Sequence, residues 1–478
     1  MRDFVTKFGL LKKHRLEAAI FLGAFILLLS VFLLIFYFHG NSFMFYADSA
    51  GYIRLADNLI EHQIFSQSSN FPFLPDSFRT PLYPLFLAGV FLFFNKIFVV
   101  GVIQCFFAAV AVVYVFKIGK LLGGNKIGLF SALLFGIDLH HLTVTGAIIT
   151  EPLFVPLFLI SIFYVLYFLK SRKNKHLIIT ALFLGLASLV KPVAFYLGFV
   201  FLLFFIFTYF VIWKKKFNFS FIKTIVIFGL VLFAVILPWL WRNQIVFGEF
   251  SLSSIGGYNL YFYNSLSIKA EELGMSKGET ASFLKKQVKE KFPGIRDEDM
   301  YSFKLSDYYK EQSLQTIKDH KIQYLKTHFL GSSYFLLANY YRRAAYAISG
   351  ASKTGIPSYD TMQLLKQGKI LTEIINLIKK GGFEVVVMIL GFAIAGVYLF
   401  FLLLNLFYLF RAKNLEYEIL LYAVIGYFAL VTGPVASGGY RYPILPFIII
   451  LALLGITRVY NALSKVRAKI GGDIRTLN

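Results

Sequence analysis

The stretch EAAIFLGAFILLLSVFLLIFYF, residues 17–38, decides the fold class. Past Glu17 it carries no charge, and it exceeds the ~20 apolar residues that a helix needs to cross a bilayer. It is too long for the apolar core of a cleavable signal peptide, and no small-residue cleavage site follows it. It therefore reads as an uncleaved signal anchor. Arg2, Lys7, Lys12, Lys13 and Arg15 precede it. Cytoplasmic flanks carry an excess of Lys and Arg, so this one is expected inside.

The rest of the chain repeats that pattern. Of 478 residues, 58% are hydrophobic and only 15% charged. A soluble chain of this size would have too little polar surface to cover itself. A formal charge of +23 would suit a nucleic-acid binder, but the basic residues fall in short clusters between apolar segments. Lys117, Lys120 and Lys126 form one; Lys170, Arg172, Lys173 and Lys175 the next; then Lys214, Lys215, Lys216 and Lys223; then Arg411 and Lys413; and finally Lys465, Arg467, Lys469 and Arg475. Such clusters mark cytoplasmic loops and not a DNA-binding face. With each placed inside, the predicted crossings are 17–38, 97–116, 127–148, 152–169, 177–190, 193–213, 224–240, 383–410, 418–434 and 443–460. That makes about ten transmembrane helices, with both termini cytoplasmic.

Pro81 to Phe94 is apolar but too short to cross, and counting it would put the Lys117–Lys126 loop outside. It is expected to be a re-entrant or interfacial element along the outer face. Pro81 and Pro84 sit at its start, where a helix tolerates proline. The chain thus divides into an N-terminal transmembrane module (1–240, with the outer loop 39–94), a mainly helical extracytoplasmic domain (241–382), and C-terminal transmembrane helices with a basic tail (383–478). The excess of Lys in 241–382 suits anionic headgroups or phosphate, and equally an ordinary solvated face. The single cysteine, Cys105, lies inside an apolar segment, so no intrachain disulfide is expected.

Walker A, strand-bound GxGxxG, HExxH and GxSxG sequences are all missing, which excludes the common soluble nucleotide and hydrolase sites. What remains is a set of polar residues at the outer ends of the predicted helices. Asp48 lies in Tyr46-Ala47-Asp48-Ser49-Ala50-Gly51-Tyr52, at the start of a short amphipathic helix marked by Tyr52, Leu55, Ala56 and Leu59. It is either an N-cap or a general base at the membrane surface. Arg79 precedes Thr80-Pro81-Leu82-Tyr83-Pro84. It is either a snorkelling interfacial arginine or a bidentate ligand for a lipid phosphate.

Glu151, in Thr150-Glu151-Pro152, is equally a helix start and an outer carboxylate. Asp138, His140 and His141 fall in the outer half of the third predicted crossing. There ionisable groups face a bundle interior or a watery cavity. Adjacent histidines on a helix point about 100° apart, which disfavours a shared metal. Lys191-Pro192, Trp239 with Arg242-Asn243, Tyr258-Asn259-Leu260 and Gly439-Tyr440-Arg441-Tyr442-Pro443 complete the set. Aromatics there anchor at the interface or stack on a sugar.

In this order, these motifs resemble the C-type membrane glycosyltransferases, specifically the family 39 group with its protein mannosyltransferase-like and lipid A aminoarabinose transferase-like enzymes. The match runs through nearly the whole chain, from Asp48, Tyr52 and Ala56 to Arg441-Tyr442-Pro443. The resemblance implies a C-type fold and an inverting transfer of a sugar from a polyprenyl-phosphate donor. The acceptor would be an extracytoplasmic lipid, polysaccharide or protein, at the bacterial cytoplasmic membrane. It implies Asp48 and Glu151 as the catalytic acids and Arg79, Arg441 and Arg242 around the donor phosphate. Tyr52, Tyr83, Asn259 and Tyr440 are the expected sugar contacts. Some relatives carry an acid just before the cation at the re-entrant segment, where it helps hold a divalent metal. Here that residue is Phe78, so no metal or other cofactor is expected to be required. A secondary transporter or lipid flippase is the rival reading, which would use Asp138, His140 and His141. Against it, the two halves show no matching pair of broken helices.

Overall fold

A chain this apolar must satisfy its backbone internally, and within a bilayer only helices and closed barrels do so. In a computed structural model, residues 2–94, 96–337, 341–349, 372, 375, 383–435 and 438–475 are described. Every regular element among them is helical. Eight of the helices among the described residues are long and apolar enough to cross a membrane. Two shorter apolar helices, Leu82–Phe94 and Asn174–Val190, accompany them.

The first helix, α1 (Arg2–His39), contains the anchor. After a 3-10 turn comes α2 (Ser49–Glu61), which buries Tyr52, Leu55 and Ala56 as the spacing predicts. α3 (Leu82–Phe94) has 13 residues, about 20 Å of helix at 1.5 Å per residue. That is short of the ~30 Å hydrocarbon core. Its packing partners are α2 and the two helices α4 and α7 introduced below.

α4 (Ile97–Gly136) is a hairpin, not a rod. Gly124 breaks it with φ 84°, a left-handed backbone that glycine adopts without penalty. A Cβ on Gly128 would lie 2.6 Å from the Phe116 carbonyl oxygen, and one on Gly136 would meet Val112 at 3.7 Å. Residues that far apart in sequence touch only if the two halves run antiparallel. The basic Lys117–Lys126 stretch sits at the turn, as the charge pattern required.

The third predicted crossing needs correction. Helix stops at Gly136, Asp138 caps the six-residue α5 (Leu139–Val144), and residues 145–150 are irregular. Continuous apolar character concealed that break, which the Asp138 carboxylate makes by accepting the His140 and His141 backbone N–H groups.

α6 (Glu151–Ser171), α7 (Asn174–Val190), α8 (Val193–Phe207, continued by a π turn to Ile212) and α9 (Phe219–Phe247) follow with short connections. The polar region that follows is helical where described: α10 (Ile255–Asn259), α11 (Leu266–Leu273), α12 (Lys277–Lys291), α13 (Phe303–Asp319), α14 (Lys321–Leu337) and α15 (Arg342–Ser349). It has its own small core of Tyr258, Tyr261, Phe262, Leu284, Val288 and Tyr309. Most of 350–382 lies outside the described residues. The C-terminal helices are α16 (Phe383–Phe407), α17 (Leu415–Thr432) and α18 (Leu445–Arg475).

At the end of the bundle away from Asp48, a covered ion pair ties these last three helices. Arg458 of α18 donates to both oxygens of Glu418 on α17, at 2.5 and 2.9 Å, and to Asn405 Oδ1 of α16 at 2.7 Å. Glu418 is buried. Its removal strands a guanidinium inside apolar packing, the situation that costs most in a buried pair. Glu418→Ala should therefore destabilise the protein by ~3–5 kcal/mol in chemical unfolding from detergent micelles. An unchanged midpoint would show that the pair does not hold the C-terminal helices together.

Candidate active site

Asp48 and Glu151 stand 103 positions apart in sequence (151 − 48), and main-chain hydrogen bonds bring their segments together. Ile148 N–H donates to the Met44 carbonyl at 2.8 Å. Ser49 Oγ donates to the Ile148 carbonyl at 2.6 Å and accepts the Tyr46 N–H at 2.7 Å. Below this seam, Gln104 from the first half of α4 donates Nε2 to the Thr145 and Ala147 carbonyls at 3.0 and 2.8 Å. Tyr83 donates its hydroxyl to Gln104 Oε1 at 3.0 Å. An irregular segment buried among helices needs such partners for its carbonyls, and one glutamine supplies two of them.

On this mount Asp48 occupies the N-cap position of α2, yet its side chain makes no cap hydrogen bond. Arg79 Nη2 donates to Asp48 Oδ1 at 2.7 Å instead. The reading of Asp48 as a mere helix cap is thereby excluded. The Asp48 side chain is 57% exposed while that of Arg79 is only 14% exposed, so the carboxylate faces outward over a covered cation. Arg79 Nη1 also donates to the Tyr52 hydroxyl at 3.2 Å. Its guanidinium lies 4.8 Å from the centre of the Tyr52 ring and 4.9 Å from that of Phe78. Burial pushes the Tyr52 hydroxyl up from its ordinary value, keeping it neutral beside the pair.

Glu151, the first residue of α6, accepts Lys191 Nζ at 2.7 Å. The two side chains are 14% and 20% exposed. Lys191 closes α7, and Thr80 Oγ1, next to Arg79, donates to the Val190 carbonyl at 2.9 Å. The two ion pairs are thus tied through adjacent residues. Tyr440 is half-exposed, with Lys191 Nζ 5.9 Å from its ring centre, and lies within electrostatic reach of Glu151, Asp48 and Arg79.

Five of the expected site residues, Asp48, Tyr52, Arg79, Glu151 and Tyr440, converge. The other four stand elsewhere. Tyr83 is fully buried and meets Tyr52 edge-on, so it supports the site from beneath and is not a surface for a sugar. Asn259 ends α10, where its carbonyl accepts Asn264 Nδ2. Among the described contacts it has none to Asp48, Arg79 or Glu151.

Arg242 is packed against the rings of Phe65, Trp239 and Phe247. It donates Nη1 to the Asp76 carbonyl at 2.8 Å, which places it behind the Arg79 loop. Arg441 is buried beside a small cavity lined also by Asp138, His140, Tyr341 and Tyr442. Asp138 there accepts the Tyr341 hydroxyl at 2.9 Å, and His141 shares a 2.6 Å hydrogen bond with the Tyr442 hydroxyl. The three ionisable groups on which a transporter reading relied are thus drawn into a helix cap and its packing.

Three contributors escaped the sequence reading, and Phe78 takes a role it did not foresee. Asp76 accepts the backbone N–H of Phe78 and of Arg79 at 3.0 and 2.8 Å, and Gln67 Nε2 at 2.5 Å. Burial raises its carboxyl above the ordinary range, opposed by those hydrogen bonds. Tyr263 is half-exposed and senses the Asp48 charge. Arg343, from the polar domain, stacks over Phe43 and Tyr46 with its guanidinium 4.2 and 3.8 Å from the ring centres. Phe78 is buried among Tyr258 and Tyr301 of the polar domain. Phe78 is here a hydrophobic dock for the polar domain.

Residues 78–239, about a third of the chain, match the family model described as dolichyl-phosphate-mannose-protein mannosyltransferase. The archaeal oligosaccharyltransferase AglB from Archaeoglobus fulgidus overlays in its apo form with TM-score 0.51 at 14% identity, over 94% of this chain and 52% of that one. The same protein in complex with an inhibitory peptide and a dolichol-phosphate overlays with TM-score 0.50 at 13% identity, over 95% and 52%. This chain therefore spans about half the length of that transferase. ArnT from Cupriavidus metallidurans bound to undecaprenyl phosphate overlays with TM-score 0.38 at 11% identity, over 90% and 77%. No curated protein matches the sequence. The resemblance read from the motifs stands, and the architecture is the C-type fold it implied.

The Glu151–Lys191 pair is open to a direct test. Glu151→Gln and Lys191→Met, made singly and together, should show a coupling of ~0.5–3 kcal/mol in unfolding free energy. Additive effects would mean that the two side chains do not interact.

Proposed function

We propose that this protein, built on the C-type glycosyltransferase fold, transfers a sugar from a polyprenyl-phosphate donor to an acceptor hydroxyl on the outer side of a bacterial cytoplasmic membrane. One observation carries the reading: an exposed carboxylate, Asp48, rests on a covered guanidinium, Arg79, beside a second acid–base pair. A membrane-surface transferase using a lipid phosphate needs that combination. The family match over 78–239 supports it, and so does the dolichol-phosphate bound in the archaeal transferase.

In the proposed reaction the donor's tail lies in lipid and its phosphate meets Arg79. A phosphate offers more charge and more acceptors than one carboxylate. It therefore draws the guanidinium from Asp48 and leaves that carboxylate free to accept a proton. Asp48 then deprotonates the acceptor hydroxyl as the oxygen attacks the anomeric carbon from the face opposite the phosphate. The C–O bond to phosphate breaks, and the configuration inverts. Arg79 stabilises the charge that builds on the departing phosphate. Glu151, held by Lys191, orients the acceptor, Tyr440 bounds the sugar, and Tyr52 steadies Arg79 beneath it.

No step needs a divalent metal: the carboxylate nearest the reacting atoms is matched by a cation, and the position that could supply a second acid is Phe78. The acceptor class, whether lipid, polysaccharide or protein, is left open by this chemistry. The basic clusters between the apolar segments support a cytoplasmic location for both termini.

Asp48→Asn should slow transfer from a synthetic polyprenyl-phosphate sugar in nanodiscs by ~10²–10⁴-fold, the usual loss for one positioned general base. Near-normal turnover would remove Asp48 from the mechanism. Arg79→Ala should weaken binding of polyprenyl phosphate, and an unchanged affinity would reduce Arg79 to an interfacial anchor.

A further inference from the structure

We propose that Asp76 is the positioning residue for Arg79: it fixes the backbone from which the guanidinium reaches Asp48, and so governs donor binding without touching the donor. This inference rests on Arg79 as the phosphate ligand.

Each polar group of Asp76 is engaged. Its N–H donates to the Phe65 carbonyl at 2.7 Å, and its own carbonyl accepts Arg242 Nη1 at 2.8 Å. Oδ1 takes two successive backbone N–H groups, from Phe78 at 3.0 Å and Arg79 at 2.8 Å. Oδ2 takes Gln67 Nε2 at 2.5 Å. Gln67 lies against Gly51 of α2, where a built Cβ would stand 2.3 Å from Gln67 Oε1. Gln67 in turn accepts Arg54 Nε of α2 on its carbonyl at 3.0 Å, so the carboxylate ties the Arg79 loop to α2.

The far side of the loop is held as well. Ser254 N–H donates to the Ser77 carbonyl at 2.9 Å, Ser253 Oγ to the Phe78 carbonyl at 2.5 Å, and Thr80 Oγ1 to the Val190 carbonyl. With the backbone of 76–80 clamped on both sides, the arginine stem starts from a fixed point beside Asp48. A neutral carboxamide serves poorly. It keeps an oxygen for the two backbone donors, but its NH₂ faces the NH₂ of Gln67, and two donors cannot bond unless the Gln67 amide turns over and sets its own NH₂ against Gly51, where Oε1 now lies.

The test uses the full chain in nanodiscs with two readouts: amide hydrogen exchange of the 76–80 segment, and affinity for undecaprenyl phosphate alongside kcat and KM. Asp76→Asn should lose exchange protection at Phe78 and Arg79. It should also weaken donor affinity and raise KM by up to about 10²-fold, the order expected when a binding group moves by ~1 Å. Adding Gln67→Glu gives the new carboxamide at position 76 a carboxylate to donate to, and should restore protection and affinity together. Arg79→Ala should lose affinity with protection kept. Wild-type exchange and affinity in Asp76→Asn would overturn the proposal. So would a folded Asp76→Asn/Gln67→Glu protein that recovers neither. If the wild-type protein binds no undecaprenyl phosphate, the phosphate reading of Arg79 fails, while the exchange data still decide whether Asp76 holds the loop.

Discussion

Two irregular turns, one after α1 and one before α6, are joined by a backbone hydrogen bond and by the Ser49 hydroxyl, and the candidate site sits on that seam. Ile148 and Met44 share one hydrogen bond, and Ser49 closes a second. Irregular backbone among apolar helices persists only where protein supplies its partners. Gln104 and Tyr83 supply them from below. Asp48 and Glu151 each lie within a few residues of the seam, and their proximity is a consequence of pairing main-chain groups. No attraction between the two carboxylates is involved.

The three ion pairs form a series in burial, and the series separates structure from chemistry. Glu418–Arg458 is the most covered and links three helices. Glu151–Lys191 is intermediate. In Asp48–Arg79 the acid is open to solvent. Its acid is already solvated, so a phosphate that takes over the covered guanidinium leaves no buried charge behind. Buried pairs do not exchange, since opening one leaves a charge without compensation. A carboxylate proposed to react needs an exchangeable partner, and Asp48–Arg79 is the pair of the three whose acid is open.

Much of this was legible beforehand. Run length and charge located the crossings, because lipid imposes a long apolar helix and the Lys and Arg clusters mark its ends. The amphipathic α2 and the short α3 followed from spacing and length. The break at Asp138 was not legible, since a capping carboxylate interrupts a helix without interrupting its apolar composition. That Arg242 would pack behind the Arg79 loop, and Arg441 beside the Asp138 cavity, was not legible either. A guanidinium on a flexible stem can turn toward a reacting group or toward a loop carbonyl, and composition does not distinguish these. Asp76 sits in a Pro- and Ser-containing loop with no periodicity, where nothing local marks a carboxylate that will bond to the residues after it.

By itself, then, the sequence determined that this is a many-spanning helical protein with its chemistry-bearing side chains gathered at one end. Those properties depend on hydrophobic run length and charge placement, which are sums over neighbouring residues. Only the tertiary structure decided which carboxylate meets which cation, that Tyr83 supports and Tyr52 faces the site, and that Phe78 is a dock. Such pairings depend on ångström-scale contacts between segments far apart in the chain, and those are settled by packing and by the need to satisfy each buried polar group.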